Sequence, residues 1–147
     1  MDVMNGTLSI AATALRAERL RLDVIASNLA NANSTRSPEG GPYKRRNVVL
    51  VPQQMEFDFA STLDQVAEQG ARQGVTVSDV IEDVSPPRVV FDPGHPDANP
   101  DGYVAYPNVN PIMETVDLMN ATRAYEANVQ VVSATKRMAE AALAIGG

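Results

Sequence analysis

His95 is the only histidine among the 147 residues, and its surroundings are where metal or acid–base chemistry would be sought first. It lies in Asp92-Pro93-Gly94-His95-Pro96-Asp97-Ala98-Asn99-Pro100-Asp101-Gly102. A calcium loop of the EF-hand type sets oxygen ligands at its first, third and fifth positions and a glycine at its sixth. Asp97, Asn99, Asp101 and Gly102 reproduce that opening. The pattern then fails: the twelfth position is Asn108 where a bidentate Glu is needed, Pro100 stiffens the loop, and no helical pattern precedes it. These residues favour a proline-stiffened turn closed by Asx-type side-chain bonds. No metal and no cofactor is expected.

Catalysis finds even less to work with. His95 would have to serve as the base of a nucleophilic site, yet no serine stands in a nucleophile-elbow context. No glycine-rich phosphate loop is present. The chain has no cysteine, which removes disulfides, thiolate metal sites and Cys nucleophiles. Glu82 and Asp83 adjoin at the end of a strand-like run, where successive side chains point to opposite faces, so they are expected to be solvated and not paired for proton transfer. The reading is that the protein is not an enzyme.

The run Ser27-Asn28-Leu29-Ala30-Asn31-Ala32-Asn33-Ser34 has a different character. Asn is poor in a helix interior but suits helix exits and left-handed backbone positions. Asn28 and Asn31 share a helical face. Two readings stand side by side, a helix C-terminus and an amide-lined contact surface.

The elements that must carry these residues follow from apolar spacing. Leu8, Ala11, Leu15, Leu22, Ile25 and Leu29 recur at steps of three, four and seven, a helical stripe of coiled-coil type that Glu18 interrupts. Ala124, Ala127, Val131, Ala134, Met138, Ala141 and Ile145 step three and four without a break. Small residues at alternate positions would let two backbones approach closely. Leu118, Tyr125 and Val132 form an adjoining stripe, so this second helix has more than one apolar face and wants more than one partner. Asn110 can cap it and Pro111 suits its first turn.

Eight of the ten prolines fall between Pro38 and Pro100. There, Asn47–Val51, Val75–Val77, Arg88–Phe91 and Tyr103–Tyr106 read as strands, and the last two can pair as a hairpin across Asp92–Gly102. The expected fold class is therefore mainly α. N- and C-terminal helices pair as a coiled-coil-like core, with an irregular, β-hairpin-containing middle. Residues 1–36 and 111–147 make the helical core, and 37–110 an extended loop and β-rich insertion.

Composition narrows the function classes. Aromatics are 5% and Trp is absent, so the chain's own core must be thin. The net charge of -6 is concentrated in residues 51–110, which carry -8, against +3 for residues 1–50 and -1 for the remainder. An acidic middle argues against nucleic acid as a partner. The short basic cluster Lys44-Arg45-Arg46 is expected to be a solvated turn flank. No run is long and apolar enough for a membrane span. The start, Met1-Asp2-Val3-Met4-Asn5, is unlike a general-secretion signal.

Two motifs carry a resemblance. Ala26-Ser27-Asn28-Leu29-Ala30-Asn31-Ala32-Asn33 resembles the N-terminal signature of flagellar rod and hook proteins, and Ala121-Thr122-Arg123-Ala124-Tyr125-Glu126-Ala127-Asn128 resembles their closing motif. Ser37–Arg46, and the run from Asp92–Asp97 through Gly102–Asn110, resemble the short proximal-rod branch of that family. The likeness covers nearly the whole chain and is weakest over Gln54–Arg72.

The resemblance implies a structural subunit of the periplasmic rod of the basal body. It implies assembly with copies of itself and with other rod proteins, contact with membrane-ring and rod-adaptor proteins, and passage through the type III export apparatus without a cleaved signal. The subunit contacts expected on this basis are Asn28, Leu29, Asn31, Asn33, Arg123, Ala124, Tyr125, Asn128, Val131 and Met138. Alone, such thin-cored termini are expected to be largely disordered before assembly.

Overall fold

In the computed structural model, residues 2–54 and 73–146 are described; the stretch within Gln54–Arg72 that carries no motif falls at 55–72, outside them. Helix α1 runs Asp2–Ala30 and helix α2 Pro111–Gly146. Between them lie strands β1 (Arg46–Gln54), β2 (Gln73–Glu82), β3 (Arg88–Phe91) and β4 (Tyr103–Tyr106). The two helices pack together, with a hairpin-containing middle between them in sequence, which is the expected fold class.

The described chain forms two compact units. One comprises Met1–Arg19, Leu50–Ser78 and Thr122–Gly147; the other comprises Leu20–Val49 and Asp79–Ala121. Each helix therefore gives part of its length to each unit.

The helix ends follow from their capping residues. Asn110 caps α2: its Oδ1 accepts from the backbone N–H of Ile112 at 3.0 Å and of Met113 at 3.4 Å. At the exit of α1, Asn31 donates from both its backbone N–H and its Nδ2 to the Ser27 carbonyl, at 3.0 and 2.9 Å. That exit is right-handed throughout. Among the described residues only Gly40, Gly41 and Gly102 have positive φ, so Asn28 and Asn31 are used for side-chain bonding and not for a left-handed turn.

The inward face of α2 is not the one its apolar spacing favours. Ala127, Val131, Met138 and Ala141 are exposed, and only Ala124 and Ala134 of that stripe are half-buried; the side chain of Ile145 is outside the described set. The covered positions are Glu114, Leu118, Ala121, Tyr125, Asn128, Val132, Thr135 and Ala139, which also step three and four. Its Leu118, Tyr125 and Val132 are the adjoining stripe read from the sequence, whereas apolar spacing does not register the polar Glu114, Asn128 and Thr135. Two of them are neutralised by their own helix, since Asn128 Nδ2 donates to the Ala124 carbonyl at 2.9 Å and Thr135 Oγ1 to that of Val131 at 2.9 Å.

Strands β1 and β2 form one two-stranded sheet, β3 and β4 another. The β3–β4 hairpin forms as expected and is antiparallel, with Arg88 opposite Tyr106 and Phe91 opposite Tyr103. The β1–β2 pairing is prolonged by the Asp83 N–H donating to the Arg45 carbonyl at 2.7 Å. Val75 in β2 donates its N–H to Thr13 Oγ1 at 3.1 Å, tying that strand to α1 within the first unit. Among the described residues the buried apolar ones are Ala11, Ala17, Ile25, Ala32, Val104 and Ala121, none aromatic, so the core they form is thin.

Candidate functional site: a polar latch beneath the signature asparagine

In a core this thin, the most deeply buried large side chains include two polar ones, Glu114 and Asn28. A polar group at that depth is costly unless every bonding position is filled. Asn28, 1% exposed, fills all four. Its Nδ2 donates to the Arg46 carbonyl at 2.8 Å and to Glu114 Oε2 at 3.1 Å. Its Oδ1 accepts from the Arg46 N–H at 2.9 Å and from the Tyr43 hydroxyl at 2.9 Å. The side-chain amide thus pairs with both backbone groups of Arg46 as a neighbouring strand would. It holds the start of β1 against the last turn of α1.

Glu114 completes the latch from α2. Its Oε1 receives Arg45 Nε at 2.5 Å, with the Glu114 side chain 1% exposed and that of Arg45 24%. The guanidinium extends to Asn47 Oδ1 at 2.7 Å and to Asp117 Oδ2 at 3.5 Å. A charge-assisted bond of this kind is stronger than a neutral one. Here it neutralises a carboxylate that burial alone would penalise. Three chain segments, 27–28, 43–47 and 114–117, converge on one network inside the second unit.

The basic cluster is thereby divided. Lys44 and Arg46 are exposed and reach the two oxygens of Glu82, at 3.4 and 3.2 Å, whereas Arg45 turns inward. The expectation of a wholly solvated flank fails at Arg45, because the buried Glu114 supplies its countercharge. Glu82 is likewise not merely solvated: hydrogen bonding to Arg46, then to Lys44, holds its carboxyl below the ordinary value. Asp83 is lowered by its hydrogen bonds with Ser85.

The loop around His95 is a second tie. Asp97 accepts from Thr35 Oγ1 at 2.7 Å and from Arg36 Nε at 2.6 Å, so both its oxygens are engaged on the turn that follows α1. The Thr35 hydrogen bond is the leading cause of its lowered pKa, and the charge of Arg36 adds to it. Asn99 Oδ1 accepts from the N–H groups of Asp101 and Tyr103 at 3.0 and 2.8 Å. Asp97 N–H donates to His95 Nδ1 at 3.1 Å. Of the oxygens that resembled calcium ligands, Asn99 Oδ1 closes the loop itself and those of Asp97 are held by Thr35 and Arg36, and among the described residues no three carboxylate or imidazole groups converge.

The expected contact residues separate. Asn28, Leu29, Asn31 and Asn33 lie in the second unit; Arg123, Ala124, Tyr125, Asn128, Val131 and Met138 lie in the first. Leu29, Asn33, Arg123, Val131 and Met138 are exposed, Met138 at 64%. Asn31, Ala124, Tyr125 and Asn128 are half-buried. Asn28 has no bonding position left to offer. Glu114 and Arg45 did not stand out in the sequence. The signal that could have found Glu114 is a strict seven-residue step through Ala121, Asn128 and Thr135, all on the covered face of α2.

Comparison with known proteins places these elements. A family model described as flagella basal body rod protein matches residues 8–36, most of α1 and its exit. A second, described as the C-terminal part of flagellar basal body rod FlgEFG protein, matches residues 101–145, which hold β4 and nearly all of α2. The chain is 44% identical over 144 residues to the flagellar basal-body rod protein FlgC of Bacillus subtilis, covering 95% of this chain and 96% of that one. It is 40% identical over 144 residues to FlgC of Borreliella burgdorferi, covering 95% of each. The figure for FlgC of Escherichia coli O6:H1 is 42% over 137 residues, covering 93% of each.

Proposed function

The chain belongs to the FlgC family of flagellar basal-body rod proteins and is a structural subunit of the rod, and on that premise we propose how it is exported, seated and joined. The observation that carries the premise is identity of 40–44% along nearly the full length of relatives bearing that name. The subunit occupies the proximal, periplasmic part of the rod, having crossed the type III export apparatus without a cleaved signal. It assembles helically with copies of itself and with other rod proteins, and transmits torque from the membrane ring and its adaptor proteins towards the hook.

Residues 1–33 and 111–147 pack together as the inner layer of that assembly, and 37–110 form an outer or intersubunit element. The exposed stripe of α2 supports this reading. Ala127, Val131, Met138 and Ala141 leave most of a heptad face uncovered in the single chain, and a helix with a second apolar face needs a second partner. Of the expected contacts, Leu29, Asn33, Arg123, Val131 and Met138 lie where a neighbour can reach them. Head-to-tail contacts that do not close into a ring generate a helical array. Deleting the gene and imaging basal bodies tests the assignment: rods should be missing and swimming lost. Intact rods in a swimming mutant would overturn it.

A further inference from the structure

The β3–β4 hairpin turns its apolar side outward. Its register puts Val89 opposite Ala105 and Phe91 opposite Tyr103 on one face, with Val90 opposite the buried Val104 on the other. On the outer face Phe91 and Tyr103 meet edge to face, with ring centroids 5.2 Å apart, and Phe91 is 63% exposed. A chain with three Phe and four Tyr has set two of these rings in water. The same unit exposes a second apolar face. Ile112, Met113, Val116 and Met119 line the first turns of α2, and Ile112 is 76% exposed.

We infer that the outer face of the β3–β4 hairpin docks on the Ile112–Met119 stripe of a second copy of this chain; the inference rests on the rod-subunit reading above. Three arguments select this occupant. Neither face carries a charged side chain, so each suits the other without stranding an ion. Methionine sulfur packs favourably against aromatic edges, and the stripe offers two methionines to the Phe91–Tyr103 pair. A hairpin meeting its own copy would be isologous and close into a dimer, whereas hairpin on α2 joins two different patches of one unit and leaves both ends open for growth. Four side chains on each partner fall well short of the roughly 800 Å² per side of a stable pair. The contact therefore forms within the array, where it acts with others.

The absence of cysteine makes a direct test available. Cells carrying Phe91→Cys and Met119→Cys in one chain, or Val89→Cys and Val116→Cys as an independent pair, are treated with a short thiol cross-linker and their basal bodies isolated. Dimers of this chain should exceed those from either single substitution at least tenfold. The inference is overturned if chains present in basal bodies give no dimer with either pair, if a single substitution at 91 cross-links to itself equally well, or if the thiol at 91 captures a different protein. Failure of the rod reading looks different, since the unsubstituted chain would then be missing from basal bodies.

Discussion

The side-chain amide of Asn28 donates to the carboxylate of Glu114 at 3.1 Å across 86 residues of sequence, joining the end of α1 to the start of α2. The same amide also pairs with the backbone of Arg46. Asn28→Ala removes all four bonds and strands the Arg46 N–H and C=O. With about 1–3 kcal/mol for each buried group left unsatisfied, a loss of about 2–4 kcal/mol is expected. Asn28→Asp should be no better despite its shape, because a carboxylate cannot donate and would face Glu114. Resistance of the assembled chain to urea, read on isolated basal bodies, tests both; wild-type resistance in Asn28→Asp would show that the donor side of the amide is dispensable.

The Arg45–Glu114 pair should behave as a coupled unit. Glu114→Gln keeps shape but removes the countercharge. Because Arg45 is partly wet and keeps Asp117 and Asn47, the cost should be about 1–3 kcal/mol, below that of a fully buried pair. Arg45→Met alone leaves the buried carboxylate uncompensated. The double substitution should be milder than the two single costs combined by about 1 kcal/mol or more. Additive costs in a double-mutant cycle would mean that the two side chains do not stabilise each other.

How much of this could be read from the sequence depends on which interaction decides each residue. Strands β3 and β4, the Asn110 cap and both helices were legible because alternation, capping chemistry and helical spacing are local signals. The covered face of α2 was legible only in part, as the adjoining stripe Leu118, Tyr125 and Val132. Its positions include Glu114, Asn128 and Thr135, whose polarity is cancelled by partners that apolar spacing does not register. The exposed face reads as the better seam because it is uniformly apolar. Asn28 stood out by its motif, yet its role depended on Arg46 and Glu114, one of them 86 residues away.

Acid should loosen the ties made by Glu82 and Asp97 before it breaks the hairpin itself. Both carboxyls are held below their ordinary values in the folded chain, Glu82 by its hydrogen bonds with Arg46 and Lys44, Asp97 first by Thr35. Above the ordinary carboxylate range, near pH ~4, their stabilisation is fully present, and it is lost as pH falls through the lowered folded values. Amide-exchange protection factors around Thr35–Arg36 and Lys44–Arg46 should fall as the pH is lowered from the ordinary carboxylate range, near pH ~4, into the more acid window that these lowered values set. In Glu82→Gln the change at Lys44–Arg46 should disappear while that at Thr35–Arg36 persists. Equal protection across that window in the unsubstituted chain would refute the role given to these carboxylates.

Gly102 closes the hairpin under a constraint that its neighbours explain. Its φ is +82°, and a Cβ there would lie 2.9 Å from Phe91 Cε2 and 3.3 Å from Pro93 Cβ. Its N–H donates to the Asn99 carbonyl at 2.9 Å and its own carbonyl accepts from Asp92 at 2.9 Å, so the turn cannot relax without losing both bonds. Gly102→Ala therefore meets backbone strain and a steric clash together, and should cost about 1–3 kcal/mol. Gly40 and Gly41 have similar φ but open space around a Cβ, so Gly41→Ala should cost less, the strain alone. Because Phe91 is the residue displaced, nuclear magnetic resonance should show the Phe91 and Tyr103 ring signals shifting in Gly102→Ala and staying put in Gly41→Ala. Unshifted ring signals in Gly102→Ala would mean that the close approach to Phe91 is not what keeps glycine at this position.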